Sequence, residues 1–378
     1  MTHLPKALSG AAYQDLLGGM TIKGLRLRAA LPPLPQPLNT ASGQLTHAPV
    51  VLLDLTTSTG VVGHSYLFSP RADMLRPLVA ICEALGDLVK GHPCDPLAVC
   101  DTLEQAFLLF GGTGLVTMAR AGIDMALWDA LAKDRGQPLY HLLGGEDAPV
   151  LAYESSGLGL STPQTVADEA ADYLASGFGH MKLRLGYDTL AEDVRAVTAV
   201  REVIGDTGLM VDYNQALDYE QALDRCRALD DFGLLWIEEP LHAADLEQSA
   251  ELAKALKTPL QIGENLFTQF EVQRAIALRA SRYLMPDVVK IGGATQWLIA
   301  AHAADQAGIP VSSHLFPEIS AHLLASVPNR HFLEYANWVD AVLAAPVSPV
   351  NGMVHLPDTP GTGIAWNEDA VSRYGIAL

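Results

Sequence analysis

Lys182 and Arg184, Asp212 and Asn214, Glu238, Glu264, Asp287, His314 and Glu334 stand at the C-terminal ends of short, apolar, β-rich stretches. Asp212, Glu238 and Glu264 close three successive stretches, so their carboxylates can converge on one point. Three oxygen donors with room left for water and substrate make a hard-cation site, and Mg²⁺ is its favoured occupant. Any one of these acids reads equally well as an ion-pair partner for Lys or Arg; the convergence of three favours the metal. Asp287 and His314 close two neighbouring stretches. A carboxylate bonded to the far ring nitrogen fixes the imidazole tautomer and makes it a better base. Glu334 can give a proton or a strong hydrogen bond to a substrate carboxylate as it becomes an enediolate, with metal on the other oxygen. The chemistry implied is removal of a proton from the carbon next to a carboxylate. Glu239 follows Glu238 directly, points to the other side of its strand and reads as structural.

These residues need a scaffold that brings strand ends together. From about Val150 short β-rich stretches alternate with helical patterns: strands at 180–185, 209–213, 234–239, 260–264, 283–291, 310–314 and 331–335, with helices between them. That rhythm means a parallel sheet with helical crossovers, and so many units in this length fit a closed (β/α)₈ TIM barrel. Ionisable residues at the C-terminal strand ends of such a barrel read as catalytic. Lys182 and Arg184, two apart, can both face inward. No glycine-rich phosphate loop follows any strand. Residues 1–145 read as a separate α+β unit, with a hairpin at 50–57 and 61–68, then helices at 72–89, 96–109 and 115–134. The barrel takes 146–349, and the Gly- and Pro-rich tail 350–378 is expected to return to the N-terminal unit.

At 378 residues, 49% hydrophobic and 18% charged, the chain suits two compact domains. Its net charge of −19 argues against nucleic acid and against an anionic membrane surface. An anionic substrate stays open, because a bound divalent cation reverses the local field. Cys82, Cys94, Cys100 and Cys226 form no ligand-like pair and read as reduced thiols. With no signal peptide and no membrane-length apolar run, a cytoplasmic protein is expected.

Several stretches carry a further signal: Met181-Lys-Leu-Arg-Leu-Gly-Tyr187, Val211-Asp-Tyr-Asn-Gln215, Trp236-Ile-Glu-Glu-Pro240, Gly263-Glu-Asn265, Met285-Pro-Asp287, Lys290-Ile-Gly-Gly293 and Ser312-Ser-His-Leu-Phe316. With Gly63-His-Ser-Tyr-Leu-Phe68, Ala121-Gly-Ile-Asp-Met-Ala-Leu-Trp128 and Pro360-Gly-Thr-Gly-Ile364, the chain resembles the mandelate racemase group of the enolase superfamily over nearly its whole length. The resemblance implies an α+β capping domain on the barrel, a Mg²⁺ cofactor held by Asp212, Glu238 and Glu264, and a small carboxylate substrate. It implies Asp287–His314 as one base, Glu334 as the electrophilic acid, and Lys182 and Ser155 on the substrate carboxylate. Asn214 would bind the α-hydroxyl, Tyr66 would sit in the cap over the substrate, and Lys290 would support the site. A homo-oligomer is implied, with an octamer as the suggested size. One position departs: the group's Lys-x-Lys, whose second lysine is a base opposite the histidine, is Lys182-x-Arg184 here. A guanidinium hardly deprotonates in a protein. The resemblance places racemisation or epimerisation of a mandelate-type α-hydroxy acid first. The alternative is dehydration of an acid sugar, with His314 as the single base and Arg184 free to grip a polyol or a distal carboxylate. A carboxylate binder without catalysis is disfavoured by the intact triad, the His–Asp pair and Glu334.

Overall fold

The computed structural model describes Pro5 and residues 8–377. After a short helix, Gly10–Leu16, come five strands: β1 (Ile22–Ala30), β2 (Pro33–Thr40), β3 (Gly43–His47), β4 (Val50–Thr57) and β5 (Val62–Phe68). β1, β4 and β5 form an antiparallel sheet, and β2 with β3 makes a separate hairpin. The β4–β5 hairpin follows the sequence expectation. β1 was legible in the alternation of Leu25 and Leu27 with Arg26 and Arg28 but was not assigned, and β2 was hidden by Pro33, Pro35 and Pro37. Proline is tolerated in such an isolated two-stranded edge because it leaves fewer ladder donors to lose. The helix Leu115–Asp134 is buried on all sides from Thr117 to Ala132 and is mostly apolar there, with Asp124 and Asp129 among the buried exceptions, each bonded to another element.

The barrel follows as β6 (Val150–Glu154), β7 (His180–Arg184), β8 (Gly208–Asp212), β9 (Ile237–Glu238), β10 (Leu260–Ile262), β11 (Tyr283–Leu284) and β12 (Leu333–Tyr335). These pair in parallel from β6 through to β11, and β12 returns to pair with β6. Val311 completes the ring by parallel bridges to Leu284 and Arg330. The expected long strands at 283–291 and 310–314 are therefore mostly irregular. After β11 the chain meets Pro286, and Asp287 Oδ1 then accepts from the Val289 and Lys290 N–H groups, which turns the backbone out of the sheet. The barrel strand that sequence reading did not assign is β6.

β13 (Met353–Val354) pairs with β6, and β14 (Gly375–Ile376) pairs antiparallel with β1, so the tail touches both parts. Cap and barrel also meet at Asp124, whose carboxylate accepts from the backbone N–H and the hydroxyl of Thr295 at the start of the helix Ala294–Gln306. Gly293 permits this: its φ is +108°, and an added Cβ would lie 2.4 Å from Asp124 Oδ2. Among the described residues no helix is long and apolar enough to cross a membrane.

Candidate active site

Register puts the first acids side by side. Arg184 is the Cα partner of Asp212, and Asp212 that of Glu238. Glu264 comes from just past β10, after Gly263 (φ +133°), where a Cβ would crowd the Met285 backbone at 3.0 Å. One oxygen from each of Asp212, Glu238 and Glu264 lies within 4.8 Å of the others. Buried carboxylates this close repel: burial, with Asp212 and Glu334 adding to it, pushes Glu238 up to about 8 even though Lys182 pulls the other way. Lys182 Nζ sits among them, 2.5 Å from Glu238 Oε1, 3.3 Å from Asp212 Oδ2 and 2.8 Å from Glu334 Oε1. A set of three hard oxygen donors in mutual repulsion fits Mg²⁺, whose charge removes the conflict.

The three acids are themselves held. Asn214 donates from its backbone N–H to Asp212 Oδ1 and from Nδ2 to Oδ2. Asn265 Nδ2 bridges Glu264 Oε1 and Glu239 Oε2, and Lys290 Nζ donates to Asn265 Oδ1 at 2.8 Å. Glu239 thus supports the ligands from behind, with a strained φ of +33°. Asn265 was not singled out from sequence, although it directly follows Glu264.

His314 and Asp287 meet as expected. The ring Nδ1–H donates to Asp287 Oδ2 at 2.6 Å, which leaves Nε2 facing the cavity, 3.0 Å from Glu264 Oε2. Burial lowers the imidazole pKa, but Glu264 first, then Glu334 and Asp287, hold it well above the ordinary value; a cation on Glu264 would offset the largest of these and favour the neutral, proton-accepting ring. Glu334 is an acceptor on both oxygens: Oε1 takes Lys182 Nζ and the Ser155 hydroxyl, and Oε2 takes the Leu315 N–H at 3.0 Å. Leu315 and Phe316 both adopt left-handed φ values, a strained turn that aims this N–H at Glu334.

These groups border a cavity of about 430 Å³, lined by Lys182, Arg184, Asp212, Asn214, Glu264, Asp287, Lys290, His314 and Glu334 on the barrel side. Leu38, Leu45, Phe68, Met118, Phe316 and Trp338 give it an apolar wall, with Arg71 among the residues lining it from the cap. Ser155 lies wholly buried between Arg184 and Glu334. Tyr66 turns its hydroxyl to Glu318 Oε2 at 2.7 Å and packs on Phe316, so Phe68, two residues on, is the cap aromatic in the cavity wall. The alternation of a strand explains the pair: residues two apart share a face.

Comparison with known proteins agrees with this geometry. Residues 165–370 match the family described as enolase C-terminal domain-like, and residues 23–144 match the mandelate racemase / muconate lactonizing enzyme N-terminal domain. L-Talarate/galactarate dehydratase of Salmonella typhimurium is 33% identical over 360 residues, covering 93% of this chain and 90% of that protein. A solved enolase from Bradyrhizobium, complexed with magnesium and mandelic acid, is 40% identical with a TM-score of 0.90, covering 95% of this chain and 99% of that one. L-Talarate dehydratase from Polaromonas, complexed with Mg and L-glucarate, is 32% identical with a TM-score of 0.86, covering 95% and 98%. With both domain families matched in order along one chain, and the acids, histidine and strand ends placed as above, the chain belongs to the mandelate racemase/muconate lactonizing enzyme family of the enolase superfamily.

Proposed function

We propose that this enzyme is a Mg²⁺-dependent hydro-lyase acting on an acid sugar, with His314 as its single base. The observation that carries the reading is Arg184. It occupies the place of the second lysine in the related motif, and its guanidinium is buried and tied to Gly157 O and Ser155 Oγ. A guanidinium does not serve as a proton acceptor, so one face of the substrate lacks the base that racemisation requires.

Asp212, Glu238 and Glu264 would hold Mg²⁺, which when bound stabilises the negative charge that grows on the substrate carboxylate. Asp287 fixes the His314 ring by its Nδ1–H and presents Nε2 to the α-carbon. Nε2 takes the α-proton as the C–H bond breaks, and the electron pair moves towards the carboxylate. The same Nε2–H then protonates the β-hydroxyl, which leaves as water when the C–O bond breaks. The enol that remains becomes a 2-keto acid. Glu334 accepts hydrogen bonds on both oxygens and Lys182 is enclosed by carboxylates, so His314 is the best placed donor to the leaving hydroxyl.

Racemisation of an α-hydroxy acid is the second reading. The apolar wall of the cavity suits a substituent such as a phenyl ring, and a relative binds mandelic acid. Proton NMR in D₂O with Mg²⁺, first on each mandelate enantiomer and then on pooled sugar acids, separates the two. Keto-acid signals from a sugar acid with no inversion of mandelate support the hydro-lyase. Loss of the α-proton from both mandelates with inversion would replace it by a racemase.

A further inference from the structure

The bonds around Arg184 run in one direction. Nη1 donates to Gly157 O at 2.6 Å and Nη2 to Ser155 Oγ at 2.9 Å. Ser155 Oγ lies 2.7 Å from Glu334 Oε1. A guanidinium carries only donors, an ionised carboxylate only acceptors, and a hydroxyl a single hydrogen. Both ends therefore fix the middle: Ser155 accepts from Arg184 and spends its hydrogen on Glu334. All three side chains are buried, so no solvent competes for that hydrogen.

We propose that Arg184 is a positioning residue for Glu334, acting through Ser155 to hold the Glu334 carboxylate in one orientation as a hydrogen-bond acceptor. Lys182 Nζ also binds Oε1, and the Leu315 N–H takes Oε2. What remains of Oε2 faces His314 Nε2 at 3.8 Å. Ser155 is then committed to Glu334 and is not the donor to a substrate carboxylate. That Glu334 lies beside the reacting carbon rests on the function proposed above; the order of the hydrogen bonds does not.

The charged and titratable groups around Glu334 are Lys182 on β7, His314 on the segment after Val311, Tyr153 on β6 and Glu238 on β9. Burial raises its carboxyl, but Lys182, His314 and the Lys182 and Ser155 hydrogen bonds lower it more, to about 2. Arg184 is not among these leading influences, as expected of a group that acts through Ser155.

The test uses the full chain with Mg²⁺ and no substrate, so it stays readable even if the hydro-lyase reading fails. NMR of protein labelled at the glutamate carboxyl carbons follows Glu334, whose signal is the one lost in Glu334→Gln. Removing one charge-assisted hydrogen bond raises the Glu334 titration by about one pH unit. We expect Ser155→Ala and Arg184→Met each to give this rise, and the double variant to give no more than Ser155→Ala alone. Arg184→Lys, which still donates, keeps the wild-type titration and guards against a variant that loses its fold. A Glu334 titration unmoved by Arg184→Met, or an Arg184→Met effect that persists in full beside Ser155→Ala, overturns the proposal.

Discussion

Replacing Arg184 by lysine puts an amine, which can give up its proton, where a guanidinium does not. If that position alone makes the site one-sided, Arg184→Lys gains α-proton exchange from the enantiomer that the wild type leaves untouched. A positioned base contributes about 10²–10⁴-fold, so a gain of about 10²-fold is expected, read by proton NMR in D₂O with both enantiomers of an α-hydroxy acid. No gain would move the cause of one-sidedness away from this residue. The metal triad gives a second expectation. Mg²⁺ at about a hundred times its Kd stabilises the fold by about 2.7 kcal/mol, and Asp212→Asn, which removes a ligand charge, abolishes that gain in thermal unfolding. Residue by residue, much of the site could be read in advance because metal and proton chemistry restricts residue type: Asp212, Glu238, Glu264, Asp287 and His314 come together where strand ends required. The link from Arg184 through Ser155 to Glu334 could not, because it depends on which donor points at which acceptor. Nor could the turn of the Tyr66 hydroxyl to Glu318, a partner 252 residues further along the chain that only the fold brings near.

Elements were legible where their period was clean and where neighbours did not override it. The helices after β7 and β8 open with side-chain caps, Thr189 with Glu192 and Asp218 with Gln221, that fix their first turns locally. The strands at 283–291 and 310–314 were overread because an apolar run says nothing about where pairing stops. Here it shrinks to single bridges, Leu284 to Val311 and Asp287 to His314, around Pro286, which lacks a donor, and ahead of the turn in which Asp287 draws two backbone N–H groups to its side chain. The helix Ala294–Gln306 opens differently, on Gly293, which has no side chain to cap it. Asp124 caps it from the other domain, and burial pushes that carboxyl up to about 7 against the Thr295 bonds that hold it down. Asp124→Ala leaves the Thr295 N–H and hydroxyl buried without their acceptor, at a cost of about 2 kcal/mol. Asp124→Asn keeps an acceptor for the N–H and loses less. Urea unfolding of the two variants should rank them in that order, and equal midpoints would mean that the cap carries no energy.

At the scale of the whole molecule, cap, barrel and tail meet at His322 on the barrel helix Pro317–Ala325. Its Nδ1 accepts from the Tyr140 N–H and its Nε2–H donates to Thr362 O, while Thr362 donates its own N–H and hydroxyl to Asp129 on the cap helix. A backbone N–H can only donate, so Nδ1 must stay unprotonated and the ring neutral. Burial accordingly pushes this imidazole down to about 4, from 6.5 when unhindered. The sign follows: below about pH 6.5 the unfolded chain takes up a proton that the folded one refuses, so stability is complete above that pH and falls as pH drops towards 4. Between about pH 7 and pH 5 the loss assignable to this one ring is about 2 kcal/mol. His322→Gln tests it, because the amide oxygen can accept from Tyr140 and the amide nitrogen can donate to Thr362 without titrating. His331, also pushed down to about 4 by burial, remains in the variant, so the difference between the two proteins isolates His322. Urea midpoints followed across that range should show the variant losing about 2 kcal/mol less than the wild type. An identical acid slope would mean that the junction of cap, barrel and tail opens before its histidine is charged.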